Sequence, residues 1–408
     1  MRRPLLILLL LVAASAFLFG CHYYIARRLV LDPGLAQPWR GAALAALVGL
    51  GASLVLQPIG ERWLRPARAR WIAWPASLWM GFAFLLLLAL VASDAALWLA
   101  GGVAEAAQDL SAPGPGAGVR AAAVVGVALL AGLAGLRSGL APPQLRRVEL
   151  WLPRWPAGRD GYRIVQISDV HIGPILGRAF AAQLVARVNA LAPDLVAVTG
   201  DLVDGKVALL ADEVAPFAGL RGRDGVWFVT GNHDHFSGAD DWARAIERLG
   251  VRVLRNERVA IGQGVLAFDL VGVDDHRSGM IGQGGEDLER ALAARDPARP
   301  AILLAHDPST FKRASTLGID LQISGHTHGG QIWPFGLLVR LVIPTVAGRY
   351  AKGAAQLYVS RGTGFWGPPM RLFAPAEITE IVLRSPQAVA AGPGPVQTQR
   401  EQDDDRVE

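Results

Sequence analysis

The 408-residue sequence is short of cysteine and of charged residues. Its single cysteine, Cys21, excludes an intrachain disulfide and any metal site built from several thiolates. Charged residues make up only 18% of the chain and hydrophobic residues 52%, which is a high apolar fraction for a wholly soluble protein. The net charge is +5, and no basic stripe with interleaved aromatic residues is present, so we expect no nucleic-acid partner.

Histidine is also scarce, and its distribution is uneven. Five of the eight histidines fall in five short segments that follow one another: SDVH (168–171), GDLVD (200–204), GNHD (231–234), AHD (305–307) and GHTH (325–328). Each segment follows a short apolar run that predicts a buried strand. Side chains at strand ends lie in loops held by a rigid sheet, where metal and catalytic groups concentrate. Carboxylate, amide and imidazole groups together suit Mn, Fe or Zn.

In this order the five segments resemble the calcineurin-like metallophosphoesterase family. The run GHTHGGQ (325–331) and the later SRGTG (360–364) resemble its membrane-associated bacterial branch. The resemblance covers roughly residues 160–385. It implies a domain of two mixed β-sheets sandwiched by helices, with a pair of divalent metal ions at the strand ends.

The sequence pattern also indicates an α/β class for this region. Helical segments are predicted at residues 180–191 and 240–249, between the short strands that precede the five segments. Further strands are predicted near residues 267–273, 356–360 and 377–383.

The resemblance implies that seven side chains bind two metal ions. The first ion would take Asp169, His171 and His328, the second would take Asn232, His306 and His326, and Asp201 would bridge both. Such a pair can grip phosphoryl oxygens and lower the pKa of a shared water, so that the expected reaction is hydrolysis of a P–O bond by metal-bound hydroxide.

Two further residues complete the expected site. By resemblance His233, next to Asn232, is not a ligand but protonates the leaving oxygen, and Asp204 orients its ring. His235 and His276 are interpreted as surface or hydrogen-bonded polar groups. Asp234 and Asp307 also follow proposed ligands, and no role is assigned to either.

The N-terminal third of the chain has a different composition. Four apolar stretches, near residues 4–24, 41–59, 71–92 and 121–140, each approach the roughly 20 residues that a membrane-spanning helix needs. We therefore predict an all-α transmembrane bundle of about four helices in residues 1–145. The metallophosphoesterase domain is predicted at 146–385, and a disordered charged tail at 386–408.

Arginines flank these stretches unequally. Nine lie at residues 2–3, 62–70 and 137–147 on one side, and four lie at 27–40 and 120 on the other. The positive-inside rule then predicts a multi-pass protein of the bacterial inner membrane with its N-terminus and catalytic domain in the cytoplasm.

Three features of this region leave alternatives open. The stretch 18–21 faintly resembles a lipoprotein cleavage site and the paired arginines at 2–3 an export signal; either would put the catalytic domain outside. The third apolar stretch is either one long tilted helix or a span with an interfacial extension. Residues 101–118, rich in small residues, glycine and proline, are predicted to form a flexible extramembrane loop.

Two features of the C-terminal half also have two readings. The apolar run WPFGLLVRLVIPTV (333–346) is either a buried strand or helix, or a lip that dips into lipid beside the site. Lys352, Arg361 and Arg371 could hold a substrate phosphate, although each alone is equally explained as an ordinary surface charge.

The expected function is that of a membrane-anchored phosphoesterase that contacts the lipid bilayer and hydrolyses a lipid-linked or nucleotide-lipid phosphate. One alternative is a nuclease, or a soluble phosphodiester or phosphoprotein hydrolase, on the same site. A second alternative is an inactive membrane sensor or scaffold. The sequence does not indicate the oligomeric state.

Overall fold

The computed structural model describes residues 2–109, 116–281 and 284–390. Its helices are α1 (Arg2–Ala26), α2 (Trp39–Trp63), α3 (Pro66–Asp109), α4 (Ala117–Leu140), α5 (Arg178–Ala190), α6 (Val207–Val214), α7 (Asn232–Ser237), α8 (Ala239–Arg248), α9 (Leu288–Leu292), α10 (Phe311–Ala314), α11 (Phe335–Val342) and α12 (Pro386–Ala390). Its strands are β1 (Gln144–Trp151), β2 (Tyr162–Ile167), β3 (Leu195–Thr199), β4 (Val226–Val229), β5 (Arg252–Val253), β6 (Glu257–Ile261), β7 (Phe268–Gly272), β8 (Ala301–Leu304), β9 (Leu321–Ser324), β10 (Gly348–Lys352), β11 (Ala355–Val359) and β12 (Glu377–Arg384).

The apolar N-terminal region is helical. Within the described residues three helices are long and apolar enough to cross a membrane, at Trp39–Trp63, Pro66–Ala100 and Ala117–Leu140. The expected number was about four, so the structure supports about three. The first apolar stretch does form a helix, α1, but many of its N-terminal side chains lie outside the described residues.

The third apolar stretch forms one continuous helix. Helix α3 is 44 residues long and runs to Asp109, so residues 101–109 are helical where a flexible loop was predicted. The rest of that predicted loop lies partly outside the described residues, as does most of the predicted tail beyond α12. Because α3 extends about 66 Å at 1.5 Å per residue, it is longer than the roughly 30 Å hydrocarbon layer.

Asp94 of α3 connects three helices of the bundle. The carboxylate of Asp94 lies 2.8 Å from the guanidinium of Arg28, which follows α1, and 2.8 Å from that of Arg120 in α4. The hydroxyl of Tyr24 donates a hydrogen bond to the same carboxylate at 2.6 Å. A charged side chain in an apolar helix is costly unless it is paired in this way, so Asp94 stabilises one arrangement of the bundle.

The C-terminal part contains two six-stranded mixed sheets, as predicted. The first has the order β1-β12-β2-β3-β4-β5, and the second has the order β10-β11-β9-β8-β7-β6. Strands β2 to β5 are parallel, as are β7, β8, β9 and β11. The strands predicted before the five segments, and those at β7, β11 and β12, are confirmed, and α5 and α8 coincide with the predicted helices.

The two sheets pack face to face around a common apolar core. Ile164, Trp227 and Phe268 contribute fully or almost fully buried side chains to it. Helices α5, α6 and α8 cover the outer face of the first sheet, and α9 and α10 cover the second. Burying each such side chain stabilises the fold by about 1.5–3 kcal/mol, so the sandwich is a rigid support for the loops at its edge.

The sandwich docks on the helical bundle through residues 366–372. A Cβ atom at Gly139 of α4 would lie 2.5 Å from the carbonyl oxygen of Pro369, and one at Gly81 of α3 would lie 2.6 Å from the sulfur of Met370. The backbone N–H of Arg371 donates to the carbonyl of Gly135 at 2.9 Å. Only glycine leaves room for this approach, so the bundle and the catalytic domain form one packed unit.

Candidate metal centre

The five sequence segments meet at one edge of the sandwich. They follow β2, β3, β4, β8 and β9; β2, β3 and β4 are parallel to one another in the first sheet, as are β8 and β9 in the second. Since the carboxyl ends of parallel strands lie on the same edge, the loops from both sheets converge there.

Several side chains at this edge are on strained backbone. The φ angles are positive at Asp169 (51°), His171 (52°), Asp201 (51°), His326 (73°) and His328 (53°). Left-handed backbone at residues other than glycine costs about 1–3 kcal/mol each and clusters at functional sites. Five of the seven predicted ligands therefore have a conformation that the fold must hold in place.

The first group contains Asp169, His171 and His328, all buried. Nε2 of His328 lies 3.4 Å from Oδ1 of Asp169 and 3.0 Å from Nε2 of His171. Two imidazole nitrogens and a carboxylate oxygen that face each other at this distance, without an intervening protein group, are a donor set suited to a divalent metal ion.

The second group contains Asp201, His306 and His326. Nε2 of His306 lies 3.1 Å from Oδ2 of Asp201 and 3.2 Å from Nδ1 of His326. Nδ1 of His306 lies 2.8 Å from the carbonyl oxygen of Thr199, so it carries the proton that this bond needs. That tautomer leaves Nε2 free to bind a cation.

Asp201 lies between the two groups. Its Oδ2 is 3.1 Å from Nε2 of His306 in the second group and 3.9 Å from Nε2 of His171 in the first. Burial raises the pKa of Asp201, but the facing charges of His306 and His233 outweigh it and hold that pKa well below its usual range. The carboxylate is therefore ionised and attracts positive charge from both sides.

Asn232 begins helix α7 at the same edge. Its Oδ1 atom is buried and has no hydrogen-bond partner among the described residues. A buried unpaired acceptor costs about 1–3 kcal/mol, so a cation in contact with this atom would remove a penalty that the protein alone leaves. With the buried carboxylates of Asp169 and Asp201, the donor set fits divalent metal ions.

His233 lies beside the two groups of candidate ligands. Its Nδ1 is 2.7 Å from Oδ1 of Asp204, and Nδ1 of His171 is 3.0 Å from the same oxygen. The His233 ring also packs against the ring of Trp366, with ring centroids 5.5 Å apart. Burial lowers the pKa of His233, but the charges of Asp201 and Asp204 outweigh it and raise that pKa to about 9.

Asp204 thus orients two rings, whereas the sequence predicted one. Burial raises its pKa, but the contacts with His171 and His233 outweigh this and hold the pKa below its usual range. His233 also belongs to a cluster with His171 and Asp201 that could hold a metal ion, a role that the resemblance does not assign to it.

Two positioning residues were missed by sequence reasoning. Asp234 accepts hydrogen bonds from the backbone N–H of Gly231 at 2.8 Å and of Leu202 at 3.0 Å, which holds the loops after β3 and β4 together. Arg371 is fully buried, and its Nη2 lies 3.2 Å from Nδ1 of His328. The sequence signal for Asp234 is its place in the GNHD segment (231–234), whereas no local pattern identifies Arg371.

Two of the three basic residues proposed as phosphate contacts make their contacts within the protein. Arg371 donates to the carbonyl oxygens of Arg361, Gly364 and Ala374, so its guanidinium is not available to a substrate. Lys352 is an exposed residue of β10 whose Nζ lies 3.5 Å from the carbonyl oxygen of Lys312. The interpretation of Arg371 as a phosphate ligand or surface charge is therefore wrong.

His235 and His276, which lie outside the proposed site, are hydrogen-bonded polar groups, as expected. His235 is buried with its Nε2 atom 3.0 Å from the hydroxyl of Thr230. His276 is exposed at the surface, and its Nδ1 lies 3.2 Å from Glu286.

A cavity of about 630 Å³ opens onto the site. His171, Asp204 and His233 form part of its wall, and residues at the C-terminal end of α2, among them Glu61 and Trp63, form another part. The volume is in the range of small-molecule sites. Helices that are apolar enough to cross a membrane therefore complete the cavity beside the candidate metal ligands.

Known proteins with the same sequence features are metallophosphoesterases. The model of the calcineurin-like phosphoesterase family matches residues 162–330. A Bos taurus transmembrane protein with a metallophosphoesterase domain is 39% identical over 279 residues, which are 65% of this chain and 63% of that protein. A Helicobacter pylori metallophosphoesterase is 35% identical, with 61% and 66% of the two chains covered.

The match with those two relatives covers less than two thirds of their length. A metallophosphoesterase of Aquifex aeolicus is 34% identical over 234 residues, and here 87% of the relative is covered, with 56% of this chain. Near-complete coverage at this identity, together with the five segments at the strand ends, establishes the family. This chain belongs to the calcineurin-like phosphoesterases, and the described residues of its N-terminal region include three helices that are long and apolar enough to cross a membrane.

Proposed function

We propose that this protein is a membrane-anchored phosphoesterase with a dinuclear metal centre, which hydrolyses a P–O bond of a lipid-linked or nucleotide-lipid phosphate. The observation that carries the proposal is the cavity whose wall is formed partly by the candidate metal ligand His171, with Asp204 and His233, and partly by a candidate membrane helix. A substrate in that cavity contacts both.

In this proposal two divalent cations, Mn, Fe or Zn, are held by two groups that share one carboxylate. The first group is Asp169, His171 and His328, the second is Asn232, His306 and His326, and Asp201 is common to both. When bound, such a pair of cations polarises phosphoryl oxygens and lowers the pKa of a water molecule. The presence of all seven side chains argues against an inactive sensor or scaffold.

The proton for the leaving oxygen would come from His233. Its ring faces the cavity, and the 2.7 Å contact between Nδ1 and Asp204 directs Nε2 away from that carboxylate. Trp366 packs against the ring and restricts its rotation. His233 is therefore a general acid held in one orientation, a role that typically contributes about 10² to 10⁴ in rate.

Helix α11 supports a substrate that stays in the bilayer. No residue of Phe335–Val342 is buried, and the buried residues of this apolar run, Ile343 and Val346, follow the helix. Leu341 and Val342 are 82% and 73% exposed, and the ring of Phe335 packs 6.1 Å from that of Phe84 in α3. We place this apolar face at the membrane surface next to the site.

The proposed orientation is cytoplasmic, in a bacterial inner membrane that the chain crosses several times. Residues 62–70 contain four arginines in and on either side of the connection between α2 and α3, which lies at the catalytic end of the bundle because Glu61 and Arg62 line the cavity. Lys and Arg accumulate in short loops on the cytoplasmic side.

Substrate competition tests this function. The full chain, purified in detergent with Mn²⁺, would be assayed with a lipid phosphate, a nucleotide-diphospho-lipid, bis(4-nitrophenyl) phosphate and single-stranded DNA. We expect metal-dependent turnover with the highest kcat/KM on a lipid-linked phosphate. A higher kcat/KM on DNA would favour the nuclease alternative, which needs an open basic channel instead of a cavity closed by membrane helices.

A further inference from the structure

A small polar cluster lies within the apolar helices, on the side of the cavity that faces the site. Nε2 of Gln57 donates to Oε1 of Glu61 at 2.9 Å and to the hydroxyl of Ser77 at 3.0 Å. Gln57 and Glu61 belong to α2 and Ser77 to α3, and all three line the cavity. Polar and ionisable residues in a membrane helix are costly and usually mark a functional site.

The cluster holds Glu61 in a defined position. The amide nitrogen of Gln57 makes both hydrogen bonds. The amide oxygen of Gln57, its Oε1, is buried and has no hydrogen-bond partner among the described residues. An amide that only links two helices would be expected to satisfy both of its polar atoms. Gln57 instead orients Glu61, at the cost of an unpaired acceptor.

Glu61 lies in the same cavity as the catalytic pair. The cavity is lined by Glu61, Asp204 and His233, among other residues. The end of α2 also touches the loop that carries Asp204: the carbonyl oxygen of Glu61 is 3.9 Å from the position of a Cβ atom at Gly205. Nζ of Lys206 lies 5.5 Å from the ring centre of Trp63.

This arrangement selects the chemistry of the group next to the phosphate. When it is ionised, a carboxylate accepts hydrogen bonds and donates none, and it repels a second phosphate. It therefore favours hydroxyl or amino groups as neighbours, and the bonds are strengthened by its charge. The apolar lining by Leu54, Met80 and Leu176 provides a surface for the hydrocarbon part of the same molecule.

We infer that Glu61, positioned by Gln57, is a specificity-determining residue for an amphiphilic phosphoester whose polar head carries hydroxyl or amino groups beside the phosphate. The inference rests on the proposed function and adds the substrate class to it. The membrane helices then do more than anchor the enzyme, because they recognise the head group.

Binding of short-chain lipids with matched tails tests the inference. Dihexanoyl phosphatidylglycerol carries hydroxyl groups, dihexanoyl phosphatidylethanolamine carries an amine, and dihexanoyl phosphatidylmethanol carries neither. We expect isothermal titration calorimetry on the detergent-solubilised full chain to give Kd values about three- to tenfold lower for the first two lipids, which is the contribution of one or two hydrogen bonds.

The variants separate Glu61 from general effects on the bundle. Glu61→Leu should bring all three Kd values together, and Glu61→Gln, which keeps the shape and one acceptor, should mainly weaken the amine lipid. Gln57→Leu should reduce the preference through loss of positioning. Ser53→Ala is the control on the same helix. It removes a hydroxyl that donates a hydrogen bond to the carbonyl of Leu50, and it should retain the preference.

Two results would overturn the inference: equal affinity of the wild type for the three lipids, or an unchanged preference in folded Glu61→Leu and Gln57→Leu proteins. Turnover of bis(4-nitrophenyl) phosphate by the wild type with Mn²⁺ is measured in parallel. If this turnover is present while the lipids bind equally, only the inference about Glu61 fails. If it is absent, the proposed function itself fails.

Discussion

Asp201 lies between the two groups of candidate ligands and faces a histidine of each. Its carboxylate is almost fully buried and faces imidazoles of both groups, at 3.1 Å from His306 and 3.9 Å from His171. Its Oδ1 accepts the backbone N–H of His233 at 2.8 Å. Removing this carboxylate therefore removes a charge that several buried groups share.

The first prediction concerns this carboxylate. Asp201→Ala should abolish turnover and lower the metal content by at least one ion per chain, because a bridge contributes to both sites. Elemental analysis of the purified protein measures the loss. Asp241→Ala, at an exposed aspartate that pairs with Arg244, is the matched control and should keep both metals. Full turnover in Asp201→Ala would refute the bridging role.

The second prediction concerns His233. If this ring donates a proton and binds no metal, His233→Ala should retain both ions while kcat falls by about 10² to 10⁴. The measurement pairs elemental analysis with steady-state kinetics on bis(4-nitrophenyl) phosphate. Loss of a metal ion from this variant would show that His233 is a ligand, in agreement with the cluster that it forms with His171 and Asp201.

At the residue scale, the sequence was informative where chemistry is local. The candidate ligands lie in short segments whose composition and order can be read without a structure. Arg371 was misjudged because its surroundings come from distant parts of the chain: it contacts His328, more than one strand away, and Gly135 of a membrane helix. A single arginine in a loop has no local pattern that predicts complete burial.

At the scale of elements, residues 366–372 connect the bundle to the site. The backbone of Arg371 is bonded to α4, and its side chain donates to the backbone of His328 at 3.3 Å. Any displacement of this segment from α4 therefore moves the support of a candidate metal ligand.

The third prediction tests this connection. Gly139→Ala places a methyl group 2.5 Å from the carbonyl oxygen of Pro369, so the segment must shift and the Tm of the detergent-solubilised protein should fall. The matched control is Gly126→Ala on the same helix, where nothing lies within 4 Å. This control should raise stability by about 0.5–1 kcal/mol, since alanine favours the helix. Equal Tm changes in the two variants would contradict the docking role.

Elements were predictable where a strong pattern was continuous. The buried parallel strands are apolar over four or more residues, and they were identified. Strand β1, QLRRVELW, has charged and exposed positions at the edge of its sheet and carries no clear apolar run. The surroundings of α11 were undetermined for a related reason, because an apolar helix that is buried and one that lies on a membrane have similar compositions.

At the scale of the whole molecule, the location of the active site depends on the direction of insertion. The helical bundle and the sandwich are packed together, so the cavity must lie on the side of the membrane where the catalytic domain is. Residues that line the cavity include Arg62, which lies in the last turn of α2 and is the first of the four arginines at residues 62–70.

The fourth prediction is the side on which this domain lies. A phosphatase or fluorescent-protein reporter fused after Glu408 should be active only in the form that works in the cytoplasm, because the arginine-rich connections are retained there. A fusion after Asp32, between α1 and α2, should report the opposite side if α1 crosses the membrane. An extracytoplasmic signal from the Glu408 fusion would reverse the proposed orientation.

The sequence by itself determined the family, the α/β class and the candidate ligands, because these depend on residue types in short segments at the ends of apolar strands. It also indicated a membrane region from length and composition alone. Only the tertiary structure decided that α2 lines the cavity, that Glu61 and His233 line the same cavity, and that glycines of α3 and α4 receive residues 366–372. These contacts join segments far apart in the chain, and they are set by packing, which no local pattern encodes.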